Sequence, residues 1–356
     1  MDRTANELVE VVETSGPLHA GDTLPGVLWR DCPVPGWQVA PLVNEHRNDT
    51  RAAGPSPISH AFSVDVEDWQ QSVYNRLMPV SDRFVAPTYR VAELLDRLGT
   101  RATFFVLGNA ARKTPQLIAD LARAGHEIQL HGYDHTELRE MTPDAFRQDL
   151  MRARGIIEGV IGTAVTGYRA PRFSIDRRNP WTLDVLAECG FRYDSSIFPL
   201  RIRGYGIAGW VQTPHRVRTA GGNELVEVPV AAGEILGRRF PLGGGGYFRL
   251  LPWAVIRKQF HKMEDAGRPA TVYCHPHEFD PDAFAQLPFR VPLRLRLHQG
   301  IGRRAFPGRI EKLLTEFRFG PIRDLIHGHV VKTGSAQRST LVPPAATYSH
   351  PVVNTA

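Results

Sequence analysis

Gly125-His126-Glu127-Ile128-Gln129-Leu130-His131-Gly132-Tyr133-Asp134-His135 reads as a turn, a short strand and then two histidines four residues apart. On one helical turn or in a tight loop, imidazoles at that spacing face the same way. The pair falls at the C-terminal end of the strand, which is where open and barrel α/β sheets keep their ligands. Imidazole nitrogen is a borderline-soft donor suited to zinc and its first-row neighbours. An isolated H-x-x-x-H is a weak signal, so its reading depends on what the other strands carry at the same end.

Those strands follow one pattern. Ala61-Phe62-Ser63-Val64-Asp65-Val66 is an apolar run that ends in acid, and order is expected to begin at Ser59. Pro87 to Leu98 reads as a helix closed by Gly99, and Arg101 to Leu107 as a strand. Thr114-Pro115 supplies an N-cap and a proline at the first helical position for a helix that stops at Gly125. Thr142-Pro143-Asp144 starts another helix, ending near Gly162. Short strands at Val165–Tyr168, Phe191–Asp194, Leu225–Val230 and Ala270–Cys274 alternate with helices over Trp181–Cys189 and Val255–Ala266. Alternation at this spacing predicts a parallel α/β sheet or barrel.

Reactive side chains gather at the strand ends. Asp65, Glu67 and Asp68 place three carboxylates within four positions, which is costly unless something cationic holds them. They are either a solvated turn or a metal ligand with a general base. Strand alternation puts Asp65 and Glu67 on one face, with Asp68 just beyond the end. Arg169 is either a surface cation before a proline-fixed turn or the partner of a catalytic carboxylate. Asp194 either caps an Asx turn or joins the site. His275, between an apolar strand and Pro276, is held at the same rim. Two histidines and a carboxylate around a metal leave coordination positions open. A second carboxylate as base and a histidine as acid then complete the parts for amide or ester hydrolysis.

In order along the chain, Asp65-Val66-Glu67-Asp68, Thr103-Phe104-Phe105-Val106-Leu107-Gly108, Gly125-His126-Glu127-Ile128, His131-Gly132-Tyr133-Asp134-His135, Gly167-Tyr168-Arg169-Ala170-Pro171, Tyr193-Asp194-Ser195-Ser196-Ile197-Phe198-Pro199 and Cys274-His275-Pro276 resemble the signature blocks of the NodB-like polysaccharide deacetylases, carbohydrate esterase family 4. The resemblance covers about residues 58 to 283. Asp65-Val66-Glu67-Asp68-Trp69, the run Gly243 to Leu250 and the segment continuing to about Leu325 resemble more narrowly the branch found with exosortase (PEP-CTERM) exopolysaccharide loci. The resemblance implies an irregular, incomplete (β/α) barrel and metal-dependent N-deacetylation of an N-acetylhexosamine glycan, with release of acetate. It implies Asp65 as base, Arg169 as its orienting partner, His275 as acid, and His131 and His135 as ligands to a divalent metal. Zinc is expected, while cobalt, nickel and iron suit the same donors. The commoner motif has two adjacent aspartates; here Val66 follows Asp65, so the carboxylate ligand is Glu67 or Asp68. Alternation favours Glu67 and leaves Asp68 open. Tyr168, Pro171, Arg172 and Asp194 are candidate substrate contacts. Arg172 and His277 stand where the branch usually has Ser and Trp, which bears on the sugar accepted. Hydrolysis of a cyclic amide on the same fold, or glycan binding without turnover, are the alternatives.

Bulk properties set outer limits. The 356 residues carry 42% hydrophobic and 22% charged side chains, an ordinary globular balance, and a formal charge of +6 without a dense Lys/Arg run. No nucleic-acid partner is expected. The cluster from Arg290 to Arg304 is interleaved with Leu and reads as a helix with a solvated basic face, ahead of a docking surface for anionic polymer or lipid. Three scattered cysteines form neither a zinc spacing nor a disulfide framework. The start has no apolar signal-like stretch, and no 18-residue apolar run occurs, so a cytoplasmic location, at most weakly associated with the inner face of the membrane, is expected. The partner would be an N-acetylated glycan or its lipid-linked form; oligomeric state is not legible. Residues 1–57 read as a mostly flexible extension in which Leu24–Leu28 or Trp37–Val43 could dock onto the domain surface, 58–290 as the catalytic domain, 291–331 as a helical extension packed on it, and 332–356 as a loose tail.

Overall fold

The computed structural model describes residues 28–42, 59–202, 204–284, 287 and 289–331. Its elements run β1 (Arg30–Asp31), β2 (Gln38–Pro41), β3 (His60–Val66), α1 (Val85–Arg97), β4 (Thr103–Val106), α2 (Gly108–Lys113), α3 (Pro115–Arg123), β5 (Glu127–Leu130), α4 (Pro143–Ile161), β6 (Gly167–Tyr168), α5 (Thr182–Glu188), β7 (Tyr193–Asp194), β8 (His215–Arg218), β9 (Glu224–Glu227), β10 (Ala232–Ile235), β11 (Arg238–Pro241), α6 (Gly245–Leu250), α7 (Trp253–Asp265), β12 (Thr271–Cys274), α8 (Leu293–Gly300), α9 (Phe306–Glu316), β13 (Phe319–Gly320) and α10 (Ile322–Val331).

The main sheet runs β1-β2-β8-β9-β7-β6-β5-β4-β3-β12, with β13 beside the first residues of β3. From β9 to β12 its pairs are parallel; β1, β2 and β8 add antiparallel pairs at the other edge. Among the described residues no strand closes the ring. Single backbone hydrogen bonds reach the edge of β12 instead, from Ala231 N to Thr271 O (2.9 Å) and from Tyr273 N to Gly243 O (2.7 Å). This is the expected α/β architecture, an irregular and incomplete barrel.

Parity along the strands sorts the side chains. Every residue of β3 is buried, as a parallel strand covered on both faces must be. Phe62, Val64 and Val66 join the large core packed among Val91, Leu95, Leu117 and Ile310 from the outer helices. Ala61, Ser63 and Asp65 face the interior, where Phe105 and Tyr193 also lie. Tyr193 fills that interior so tightly that a Cβ on Gly167 would sit 2.1 Å from its ring, so only glycine fits in β6. The helices start where the sequence says: Thr142 Oγ1 accepts from Ala145 N at 3.2 Å ahead of α4, and Gly162 ends it at φ 69°. Thr114 departs from expectation. Its hydroxyl donates back to Ala110 O at 3.0 Å, leaving α3 without a side-chain cap.

Two expected boundaries are corrected. Within 1–57, expected as a mostly flexible extension, residues 28–42 form β1 and β2, and β2 pairs with β8. Trp37 anchors them: it is 1% exposed, meets Trp210 edge-on at 6.0 Å and donates from Nε1 to Pro180 O at 3.1 Å. The polar composition that read as flexible hides one large buried side chain. The segment 291–331 is more than packed helices, because β13 enters the main sheet and α10 buries Ile322 and Leu325 against Ala61 and Phe105. The rest of 1–57 and the tail 332–356 lie outside the described residues. Among the described residues no helix is long and apolar enough to cross a membrane.

Candidate active site

The C-terminal ends of β3, β5, β6, β7 and β12 meet at one rim because these strands run parallel. Interior parity delivers Asp65 and Glu67 from β3, His131 beyond β5, Arg169 beyond β6, Ser195 beyond β7 and His275 beyond β12. A cleft of about 300 Å³ opens at this rim with Asp65, Glu67, His131, His135 and His275 in its lining, and Arg169 and Ser195 lie buried behind it. A larger cavity of about 940 Å³ lies by the N-terminal ends of β5 and β7 and touches none of these groups.

Arg169 is 0% exposed and its fork is fully directed. Nη1 donates to Asp65 Oδ1 and to Ser63 Oγ, both at 2.8 Å; Nε and Nη2 donate to Ser195 O and Ser195 Oγ at 3.0 and 2.8 Å. The ring of Phe105 lies 4.2 Å below the guanidinium. A buried pair with this many satisfied donors fixes the Asp65 carboxylate in position.

Glu67 stands at the centre of three imidazoles. Its Oε2 is 2.8 Å from His135 Nε2 and 3.6 Å from His131 Nε2, and its Oε1 is 3.6 Å from His275 Nε2. Burial alone would raise this carboxyl; His135 and His275, with hydrogen bonds from His131 and His135, outweigh that and hold it well below the usual carboxylate range. His131 Nδ1 lies 2.8 Å from Arg169 O, which orients the ring and leaves Nε2 turned towards Glu67. The loop that presents the pair is left-handed at Gly132 (φ 80°) and at His135 (φ 67°). Arg172 and Phe173, both at φ 52°, flank the same cleft, so backbone strain is concentrated around it.

The donors suit a divalent cation. Glu67, His131 and His135 each offer an atom within 4.8 Å of the others, all three are buried, and Glu67 Oε2, out of water, faces the imidazole nitrogens of His131 and His135. Asp68 is corrected. Its Oδ1 accepts from Gln70 N at 3.2 Å and its Oδ2 from Ser81 N at 2.6 Å, so it caps a turn instead of facing the cleft. Tyr168 is corrected too: it packs on the outer face against Phe146 and Phe191, opposite in parity to Arg169. Asp194 is fully buried, accepts from Ser196 N and Oγ, and does not reach the cleft; burial raises its carboxyl against the lowering contact from Glu227, while burial and then Asp194 raise Glu227. Ser196 Oγ in turn accepts from Ala170 N at 2.7 Å, so Asp194 supports the Arg169 loop from behind. Pro171 is buried below Gly132 rather than in the cleft lining. Arg172 does reach the rim, where its Nε meets Glu137 at 2.8 Å.

Two participants were absent from the sequence reading. Glu278 Oε2 lies 3.4 Å from His275 Nδ1 and accepts from the His275 amide at 3.1 Å, while its Oε1 accepts from Arg249 Nε at 3.0 Å. Burial by itself would lower the His275 pKa, but Glu67, Glu278 and Asp65 overcome it and push it up to about 9. Glu278 sits three residues after His275, a spacing that could have signalled it; Arg249, inside the glycine-rich run, carried no such mark. His277 stacks on His275 at 4.9 Å, and its buried Nδ1 has no partner.

Comparison with known proteins follows this geometry. Residues 82–193 match the family model described as polysaccharide deacetylase, which takes in His131, His135 and Arg169. Over this segment the chain is similar to the polysaccharide deacetylases. Residues 195–327, with His275, match a domain of unknown function (DUF3473). A peptidoglycan deacetylase-like protein of Gibberella zeae is 31% identical over 110 residues, 30% of this chain and 32% of its own length. A peptidoglycan-N-acetylglucosamine deacetylase of Bacillus cereus is 31% identical over 84 residues, 24% of this chain and 30% of its own. The chain thus spans about a third of the curated relatives it matches. A crystal structure from Mycobacterium smegmatis, of a protein assigned as a polysaccharide deacetylase, superposes with TM-score 0.54 at 21% identity, covering 85% of this chain and 98% of that one, and so shares the deacetylase fold.

Proposed function

We propose that the chain is a metal-dependent N-deacetylase that hydrolyses the acetamido group of an N-acetylhexosamine in a glycan. The observation that carries this reading is the buried Glu67–His131–His135 cluster lying between a carboxylate fixed by Arg169 and a histidine backed by Glu278. Glu67, His131 and His135 would hold the cation, zinc being the best match to two imidazoles and a carboxylate. When bound, that ion would supply Lewis acidity to the acetyl carbonyl. Asp65, paired with Arg169, takes the proton from the attacking water. His275, protonated between Glu67 and Glu278, gives its proton to the amine nitrogen as the C–N bond breaks. Water and amide become acetate and free amine. Relatives named as deacetylases of peptidoglycan support the choice of an N-acetylated sugar.

The resemblance to the exosortase-associated branch supports a narrower reading: an exopolysaccharide, met as polymer or as lipid-linked precursor on the cytoplasmic side. Arg172 and His277 at the cleft then tune which sugar enters. Acetate release from chitooligosaccharides, measured with and without chelator, tests the reaction. Release that stops with chelator and returns with zinc agrees with it; full activity in His131→Ala contradicts it.

A further inference from the structure

The mouth of the cleft is overhung by a helix that buries nothing. No side chain of α8 is buried. Leu293 and Leu297 are 69% and 52% exposed, and Ile301, just past the helix end, is 53% exposed. Their spacing of four places them in one ladder along the outer face. Leu295 and Gln299 lie on the opposite, half-buried side, and His298 and Gln299 line the cleft. The helix is pinned at its C-terminal end, because Arg249 Nη1 donates to Gln299 O at 2.8 Å and to Ile301 O at 2.9 Å. The apolar ladder is therefore turned outward by a buried contact.

The surrounding charge is one-sided. Residues 283–310 contain six arginines and no Asp or Glu. Arg303 and Arg309 are used internally, over the Phe284 ring and on the carbonyls of Phe248 and Leu251. Arg290, Arg294, Arg296 and Arg304 are exposed, and no ion pair is formed by any of them among the described residues. Arg294 and Arg296 flank the ladder on either side. Single exposed leucines are ordinary on a surface. Two leucines and an isoleucine in register, bordered by unpaired arginines, form a short face suited to a membrane surface, with the charge at its borders. An anionic polymer would satisfy the arginines but leave the leucines in water, which favours a bilayer.

We propose that α8 and its flanking arginines are an interfacial anchor for an anionic lipid bilayer. Leu293, Leu297 and Ile301 enter the boundary between headgroups and acyl chains while the arginines meet lipid phosphates. The anchor sets the cleft mouth at the membrane surface, where a glycan on a lipid carrier is presented; that consequence rests on the proposed substrate, whereas the anchoring does not.

Flotation of the full chain with phosphatidylglycerol–phosphatidylcholine vesicles, and with phosphatidylcholine alone, tests this. The expected result is binding to the anionic vesicles that falls about twentyfold in Arg294→Gln/Arg296→Gln and about a hundredfold in Leu293→Ser/Leu297→Ser. Both variants should keep wild-type acetate release from soluble chitooligosaccharide, so loss of anchoring is read separately from loss of the reaction. No vesicle binding, or binding indifferent to the leucine pair, overturns the proposal. So does a leucine variant that converts a dimer to a monomer without lipid, since a second copy would then cover the ladder.

Discussion

Arg169 Nη1 meets Asp65 Oδ1 at 2.8 Å with both groups out of water. The pair joins the end of β6 to the end of β3 and so ties the Arg169 carbonyl that orients His131 to Asp65. Arg169→Lys keeps the charge but loses the fork that also holds Ser63 and Ser195. We expect kcat for acetate release to fall about a hundredfold from misplacement of the base. Unfolding stability should fall by about 3 kcal/mol. Steady-state kinetics and chemical denaturation measure the two losses; wild-type kcat in this variant would remove Asp65 from its assigned role.

Glu278 acts through His275. Glu278→Gln preserves size and the Arg249 side of the contact but removes the charge that steadies the imidazolium. A kcat reduced about tenfold or more at unchanged KM is expected, because proton donation belongs to the transition state and not to binding. A rise in KM alone would mean that Glu278 shapes the cleft rather than the acid.

Acid should destabilise the fold through histidines remote from the cleft. His60 and His126 accept through Nδ1 from the amides of Ala270 (2.9 Å) and Ala102 (3.3 Å), and burial lowers both to about 4; His215 is lowered likewise. Glu264, 3.8 Å from His60 Nε2, does not offset that burial. Below the unfolded value of about 6.5 the unfolded chain binds more protons, so stability present above pH 6.5 is lost as pH falls towards 4. Each histidine contributes a slope of up to about 1.4 kcal/mol per pH unit in that window. Asp149, raised to about 7 by burial and then by Asp134, works in the opposite sense, as do the raised Asp194 and Glu227 carboxyls, so the histidine contribution is read from the difference between wild type and a histidine variant. Thermal melts of wild type and His126→Asn across pH 4 to 7 check this: the variant should lose less stability towards acid, and an identical pH dependence in the two would contradict it.

Trp37→Ala tests the place of residues 28–42 in the fold. Removing a side chain 1% exposed between Trp210 and Pro180 should cost about 3–5 kcal/mol. An unchanged melting temperature would return the segment to the status of a loose appendage.

The sequence made the rim legible where apolar strands end in reactive residues: Asp65, His131, Arg169 and His275 follow β3, β5, β6 and β12. Parity along those strands separated Arg169 from Tyr168, and the same reasoning would have withdrawn Tyr168 as a substrate contact. Asp68 could not be resolved locally, since its second partner, Ser81 N, lies thirteen residues on. Strands of two to four residues such as β8, β10 and β13 carry too few alternations to register, and β13 exists only because β3 offers a free edge before β4 joins at Ser63. Arg249 was invisible for a related reason: its partners come from residues 278, 299 and 301, brought together only by the fold.

The proposed reaction requires one divalent ion held by Glu67, His131 and His135. Metal stoichiometry of the purified chain and of two variants, Glu67→Gln and Asp68→Asn, measures it directly. One equivalent in the wild type and in Asp68→Asn, with loss of the ion in Glu67→Gln, is the predicted result. An ion retained by Glu67→Gln and lost by Asp68→Asn, or no ion in the wild type after zinc loading, would contradict it.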